Sequence, residues 1–363
     1  MSPFSARVGS IGVPDPHRVP STEPVVRVEA QAGGPAWVVT DPDLARVVLA
    51  DPRFAKDTAL APAHWDRRTA GLEPAAAEQM SVTTLDGEAH TRLRRAFAPL
   101  LGAARMRAAY PRLRATARRL LADLGPEADL VEDFTTRYPL TVLCDLLGIP
   151  AEHVDTAMHA CRLMHTDYPD HVPPAMAAFA ALADAALEDG PTAELARRMP
   201  PGSTRRDLHY QIFTLLFAGQ LTTDLSVGFV VARLLGDPAA PADDDLVDDT
   251  LRAHPPAPFT LWRFTSTEVE LAGLRLPARS PVLVDVVGVN RQLGRNAHDL
   301  TFGAGPHYCI GAQLARLELR AVVEVLRAEH PGARLTTPFH ELRHHTPGGI
   351  MGARLLSLPV RLR

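Results

Sequence analysis

The residues best suited to chemistry form one unbroken run, Phe302-Gly303-Ala304-Gly305-Pro306-His307-Tyr308-Cys309-Ile310-Gly311. The stretch that follows, AQLARLELRAVVEVLRAEH, continues a pattern of Ile310, Leu314, Leu317, Ala321 and Val325 at helical spacing, which puts Cys309 at a helix N-terminus. Free amide hydrogens and the helix macrodipole stabilise negative sulfur there. The glycines let the loop turn tightly and bring backbone amides toward that sulfur. A thiolate held in this way is a metal ligand, and amides aimed at it tune the metal's potential. A lone cysteine is more often a small buried hydrophobe. Against that reading, six fixed residues in the pattern F-G-x-G-x-H-x-C-x-G coincide by chance on the order of once in ten million positions.

Two further runs carry reactive or charged side chains. Leu85-Asp86-Gly87-Glu88-Ala89-His90-Thr91-Arg92-Leu93-Arg94-Arg95 sets His90 and Arg94 four residues apart, on one helical face. Such a pair suits a buried carboxylate, which needs charge-assisted partners, although an isolated run of this kind is more often a solvated basic helix. Phe217-Ala218-Gly219-Gln220-Leu221-Thr222-Thr223-Asp224 interrupts a long apolar stretch. Taken alone it fits a core helix whose threonines bond back to preceding carbonyls.

Together with AWVVTDPDLARVVLADPRF near the start and LLSLPVRL near the end, these runs make nearly the whole chain resemble the cytochrome P-450 superfamily. The resemblance implies a haem b whose iron is ligated by Cys309, with Phe302, Gly303, His307 and Gly311 enclosing the sulfur. Thiolate ligation pushes electron density onto the iron and favours O–O cleavage. His90 and Arg94 are then propionate ligands, Arg263 in TLWRFT is a third, and His307 lies near a propionate. Gly219, Gln220 and Thr222 fall on the oxygen-activating helix, where Thr222 helps deliver protons into a dry pocket.

The chain also departs from the family. Leu221 stands where an Asp or Glu is usual, leaving Gln220, Asp224 or water as substitutes in the proton relay. Asp249-Thr250-Leu251-Arg252 replaces the family's E-x-x-R, with Arg295 as a candidate third member. The meander from Asn290 to Phe302 is shortened, and GDPAAPADDD replaces a helix. The expected fold is therefore mainly α with minor β (α+β), a cytochrome P-450 fold with trimmed J-helix and meander regions.

The elements that must position these residues can be read from periodicity. Residues 1 to about 35, rich in Pro and Gly, read as an extended lead-in. AWVVT (36–40) reads as a strand, followed by a helix over 41–49 capped by Asp41. Residues 56–78 read as a long loop of the kind that is usually functional. Helices are expected over 90–98, 105–124, 139–147, 174–187 and 207–235, with Pro255-Pro256 ending the helix that carries Arg252. Strand signal is confined mostly to 268–287, which includes a hairpin-like ELAGLRLPARSPVLV, and to 354–360. The whole is expected to be a single P-450 domain over 1–363, with a β-rich lobe near 25–56, 257–290 and 335–363. Substrate contacts are expected from 56–78, 213–221, 257–261 and 344–351.

Bulk properties exclude other classes. With 363 residues, 46% of them hydrophobic, the chain can bury a large core. A net charge of -4 gives no reason to expect nucleic acid or an anionic membrane. Lys56 is the one lysine among 38 basic residues, and the abundant Ala and Pro match a high-GC, actinobacterial codon bias. Cys144, Cys161 and Cys309 are spaced too widely for a disulfide framework or a zinc site, the first residues lack the apolar core of a signal peptide, and no apolar run approaches the roughly 18 residues of a span. A soluble, cytoplasmic protein is expected.

On this reading the protein is a monooxygenase of actinobacterial secondary metabolism. It takes electrons from a ferredoxin and its ferredoxin reductase and oxidises a small hydrophobic or carrier-tethered molecule. Arg92, Arg95, Arg316 and Arg320 would form a docking face for an acidic ferredoxin. One alternative is a haem-free or degenerate relative that activates a biosynthetic partner such as a glycosyltransferase. Another is a haem-based sensor without turnover.

Overall fold

Asp41 opens the first regular helix: its Oδ1 accepts the amides of Asp43 at 3.0 Å and Leu44 at 2.9 Å, and Pro42 occupies the first turn. The helix, Pro42–Ala50, buries Ala45, Val48 and Leu49 in an apolar cluster with Val39, Val282 and Val284. These features belong to a computed structural model that describes residues 3–13, 18–19, 22–66, 81–164, 169–186, 190–241, 245–294 and 298–363. The chain divides into two units: one of residues 1–90, 239–310 and 339–356, the other of 91–238, 311–338 and 357–363.

The first unit is built on a five-stranded sheet in the order Val25–Glu29, Pro35–Val39, Pro281–Val284, Arg263–Thr265, Phe54–Ala55. Only the pairing of Pro35–Val39 with Pro281–Val284 is parallel. At the edge, Phe54 pairs with Thr265 and Ala55 with Phe264. Extending this antiparallel register by one residue brings Lys56 opposite Arg263, and side chains opposite each other share a face. Beneath the sheet lies an aromatic core in which Trp65 meets Trp262 edge-on at 4.5 Å and Phe264 at 5.6 Å.

In the second unit the helix Ala312–Glu329 packs on Ala103–Ala122 and on Arg205–Gly236. Thr204 and Asp207 form a reciprocal capping box at the start of Arg205–Gly236, which then runs unbroken for 32 residues. Among the described residues this is the one helix long and apolar enough to cross a membrane, contrary to the expectation of no such run. Its most apolar window is 67% buried, as in a core helix. A small sheet of Glu127–Asp129, Pro359–Arg361 and Arg334–Leu335 completes the unit.

The expected helices all form, with ends moved by no more than three residues: 90–98 becomes Gly87–Leu101, and 174–187 becomes Val172–Ala185. Short helices Val154–Met164, Pro191–Arg198 and Val286–Gln292 were not expected. The last of these begins inside the predicted strand region, where Asp285 caps it by accepting the amide of Gly288 at 2.9 Å. The lead-in is more ordered than its composition suggests. Arg7–Ser10 pairs with Arg343–Thr346, and Val25–Glu29 enters the main sheet. The hairpin is real for Val269–Leu271 and Leu274–Leu276, while Pro281–Val284 joins the five-stranded sheet instead. Most of the predicted 56–78 loop, and Arg295, lie outside the described residues.

Candidate active site

The cysteine loop is held from both sides. Asn290, fully buried, accepts the amide of Leu300 at 2.7 Å and donates to Thr301 Oγ1 at 3.1 Å, and Thr301 donates in turn to the carbonyl of Leu251 at 3.2 Å. The loop then closes on itself: the amide of Cys309 donates to Phe302 O at 2.9 Å and that of Tyr308 to Gly305 O at 3.1 Å. Gly305 sits at φ +68°, and a Cβ there would fall 2.6 Å from the carbonyl oxygen of Leu49. Glycine is therefore required to let the loop lie against the end of Pro42–Ala50. Cys309 is exposed, and Gly311 occupies the N-cap of Ala312–Glu329. The other two cysteines are unlike it: burial pushes both Cys144 and Cys161 up to about 12, so they stay protonated and inert.

Beside this loop the first unit collects cations around a single carboxylate. His90, 2% exposed, lies with its ring 4.1 Å from that of His307. His307 Nε2 is 2.9 Å from Asp86 Oδ1, and Asp86 Oδ2 accepts the backbone amide of Lys56 at 2.5 Å. Burial works against ionisation of Asp86, but the hydrogen bonds from His307 and Lys56 outweigh it and hold the carboxyl below its usual range. Arg263, 4% exposed, donates through Nη1 to Phe54 O at 3.1 Å. Burial draws its guanidinium down to about 10, still cationic at neutral pH. Burial, reinforced by Arg263, also pulls the Lys56 ammonium well below its ordinary value, with Asp86 opposing.

The charge and hydrogen-bond balance in this cluster is incomplete. Arg263 Nε is buried without a partner among the described residues. Leaving such groups unpaired costs on the order of 1–3 kcal/mol each. A dianionic group with carboxylate arms fits this deficit, and the residues present therefore suit haem propionates. Arg94 follows His90 by one turn on Gly87–Leu101 and is half-buried, while Arg92 and Arg95 are exposed.

Thr222, Gly219 and Gln220 belong to the second unit. Thr222 Oγ1 donates to Ala218 O at 2.9 Å without breaking the helix. What approaches Gly219 is Leu143, whose Cδ1 would lie 3.0 Å from an added Cβ, so this glycine makes room for a neighbouring helix. Gln220 donates to Asp224 Oδ2 at 3.3 Å, and Thr136 donates to the same oxygen at 3.0 Å. On Ala312–Glu329 the carboxyl of Glu318 is fully buried, and desolvation raises it well above its ordinary value despite a hydrogen bond with Thr223. Arg252 donates through Nη1 to the carbonyls of Leu293 and Gly294, at 3.1 and 2.7 Å.

Sequence reasoning missed Asp86, Asn290 and Glu318, and placed Lys56 only at the start of a loop expected to contact substrate. Lys56 carried a signal, as the single lysine in an arginine-rich chain, but its burial and its place opposite Arg263 depend on sheet pairing.

No family model matches the chain. It is, however, 42% identical over 391 residues to the cytochrome P-450 monooxygenase DoxA of Streptomyces sp. (strain C5), with 94% of this chain and 92% of the relative covered. The chain belongs to the cytochrome P-450 superfamily. This P-450 is also 31% identical to the monooxygenase PikC of Streptomyces venezuelae, over 100% of its own length and 95% of the relative's. Its fold matches the LnmA cytochrome P450 hydroxylase from the leinamycin pathway of Streptomyces atroolivaceus with a TM-score of 0.78, at 29% identity and 93% coverage of each chain. Family membership makes it a P-450 monooxygenase of secondary metabolism and implies a haem cofactor with cysteine thiolate ligation.

Proposed function

We propose that Cys309 is the axial ligand of a haem b whose propionates are received by His90, Arg94, Arg263 and His307. The protein then oxidises a small hydrophobic or carrier-tethered molecule in the cytoplasm, with O2 and electrons from a ferredoxin and its reductase. The observation that carries this reading is the exposed Cys309 thiol in a loop whose flank holds the buried Arg263, its Nε without an acceptor among the described residues. Bound haem supplies the oxygen-activating chemistry through its thiolate-ligated iron. The chain's own residues do the rest. Asn290 and Gly305 fix the loop that presents sulfur, and the cation cluster orients the carboxylate arms. Thr222, with Gln220 and Asp224 in place of the missing acid at Leu221, holds a hydroxyl and an amide for proton delivery. Exposed Arg92 and Arg95 form part of the face offered to an acidic ferredoxin.

A haem-free scaffold has no use for a buried guanidinium nitrogen without an acceptor, and that alternative is not supported. The test is the spectrum of the reduced carbonyl complex. Wild type should show the red-shifted thiolate Soret band, and Cys309→Ser should lose it while Cys144→Ser and Cys161→Ser retain it. Purified protein that stays colourless after reconstitution with haem would end the reading. Product formation dependent on ferredoxin then tests the electron donor.

A further inference from the structure

The cluster contains one cation that the propionate set above does not use. Lys56 is the single lysine of the chain, yet it is only 5% exposed, and it follows directly on the edge strand Phe54–Ala55. Lysine is rarely buried unless paired. The pairing of Phe54 with Thr265 and Ala55 with Phe264 carries it opposite Arg263, on the same face of the sheet edge. Like charges set opposite each other repel, and both groups are removed from water. The carboxylate that acts on both is Asp86. Its two oxygens are already engaged, one by the Lys56 backbone amide and the other by His307, so neither cation's remaining donors are satisfied by it. Among the described residues Arg263 Nε is left without a partner, and the charges that act on the Lys56 ammonium are those of Arg263, which opposes it, and Asp86, which favours it. Two buried cations with spare donors on one face call for an anion with carboxylate geometry.

We propose that Lys56 is a haem-propionate ligand, its ammonium binding the carboxylate that Arg263 receives from the opposite strand. Asp86 is then a positioning residue, anchoring the backbone of Lys56 and the ring of His307 on either side of the same arm. This rests on the haem reading above and adds to it a residue outside the loop and helix motifs. It also accounts for a lysine at a position where burial would otherwise favour an apolar side chain.

The test deletes the charge from each partner in turn. Apoprotein of wild type, Lys56→Met and Lys56→Arg is titrated with haem and with haem dimethyl ester, whose propionates carry no charge. Lys56→Met should weaken haem binding by about tenfold or more and leave ester binding within about twofold, while Lys56→Arg keeps most of the haem affinity. Two further readouts separate this from a packing role. The Lys56→Met apoprotein should melt at a higher temperature than wild type, because an unpaired buried amine is gone. The haem-loaded variant should have a lower reduction potential, because a positive charge that disfavoured the ferric state is lost. If Lys56→Met does not fold, Lys56→Gln serves in its place. Equal loss of haem and ester affinity would overturn the proposal while leaving the haem reading intact. Wild type that binds neither would overturn both.

Discussion

His307 Nε2 lies 2.9 Å from Asp86 Oδ1, across 221 residues of sequence, and this pair ties the cysteine loop to the start of the helix that bears His90. Asp86 precedes that helix and His307 precedes Cys309 by two residues, so one carboxylate helps set the position of both the Cys309 loop and the helix that bears His90.

Asp86→Asn should destabilise the folded protein by about 1 kcal/mol at neutral pH, a modest figure because the carboxyl is 37% exposed and solvent screens it. Since the folded-state carboxyl is depressed below 3.8, its contribution is fully present above that value and is lost as pH falls through the depressed one. Urea unfolding of the two proteins across pH checks this. Wild type should lose its advantage only in acid, and an advantage that is constant into acid would count against the charge as its source.

Asn290→Ala removes the acceptor of the Leu300 amide and a donor to Thr301, leaving a buried amide unpaired at the entrance to the cysteine loop. A cost of about 1–3 kcal/mol is expected. The reduced carbonyl complex should convert to its inactive form faster than wild type on warming, measured as the decay of the thiolate band. Unchanged decay would show that the loop holds itself.

Thr222→Ala deletes a hydroxyl that bonds back to Ala218 O within an intact helix, so stability should change by no more than about 0.5 kcal/mol. The effect belongs in coupling: product formed per O2 consumed should fall severalfold while the thiolate spectrum stays normal. Because Leu221 supplies no acid, equal coupling in the two proteins would transfer the proton role to Gln220 and Asp224.

Glu318→Gln replaces a buried carboxyl whose desolvation favours the protonated form. As pH rises above 4.5 the unfolded chain ionises this group while the folded one resists, so wild type loses stability over that range and the variant does not. The stability difference should therefore widen in favour of the variant with increasing pH. Parallel denaturation curves would mean that Glu318 is ionised in the fold.

Much of the local structure around the candidate site is legible in the sequence because its motifs are local. F-G-x-G-x-H-x-C-x-G packs turn, cysteine and helix start into ten consecutive residues, and helical spacing alone places His90 and Arg94 on one face. Asp41 is recognisable as a cap because capping is decided within three residues. Asp86 is not legible as a site residue, since its role depends on His307, brought to it by loop closure across 221 residues, and Asn290 is hidden because it lies on an unexpected helix whose end turns it toward Leu300 and Thr301.

The strand Arg7–Ser10 is hidden for the same reason. Its residues pair with Arg343–Thr346, and no local pattern announces a partner more than 300 residues on. Sequence by itself determined the chemistry available, a cysteine at a helix start and a histidine and an arginine on one helical face, because residue type and short spacing set what each group can do. Only the tertiary structure decided the charge balance: burial strips Lys56 and Arg263 of water and the fold brings them close enough to act on each other, and electrostatic cost depends on distance and solvent access rather than on order along the chain.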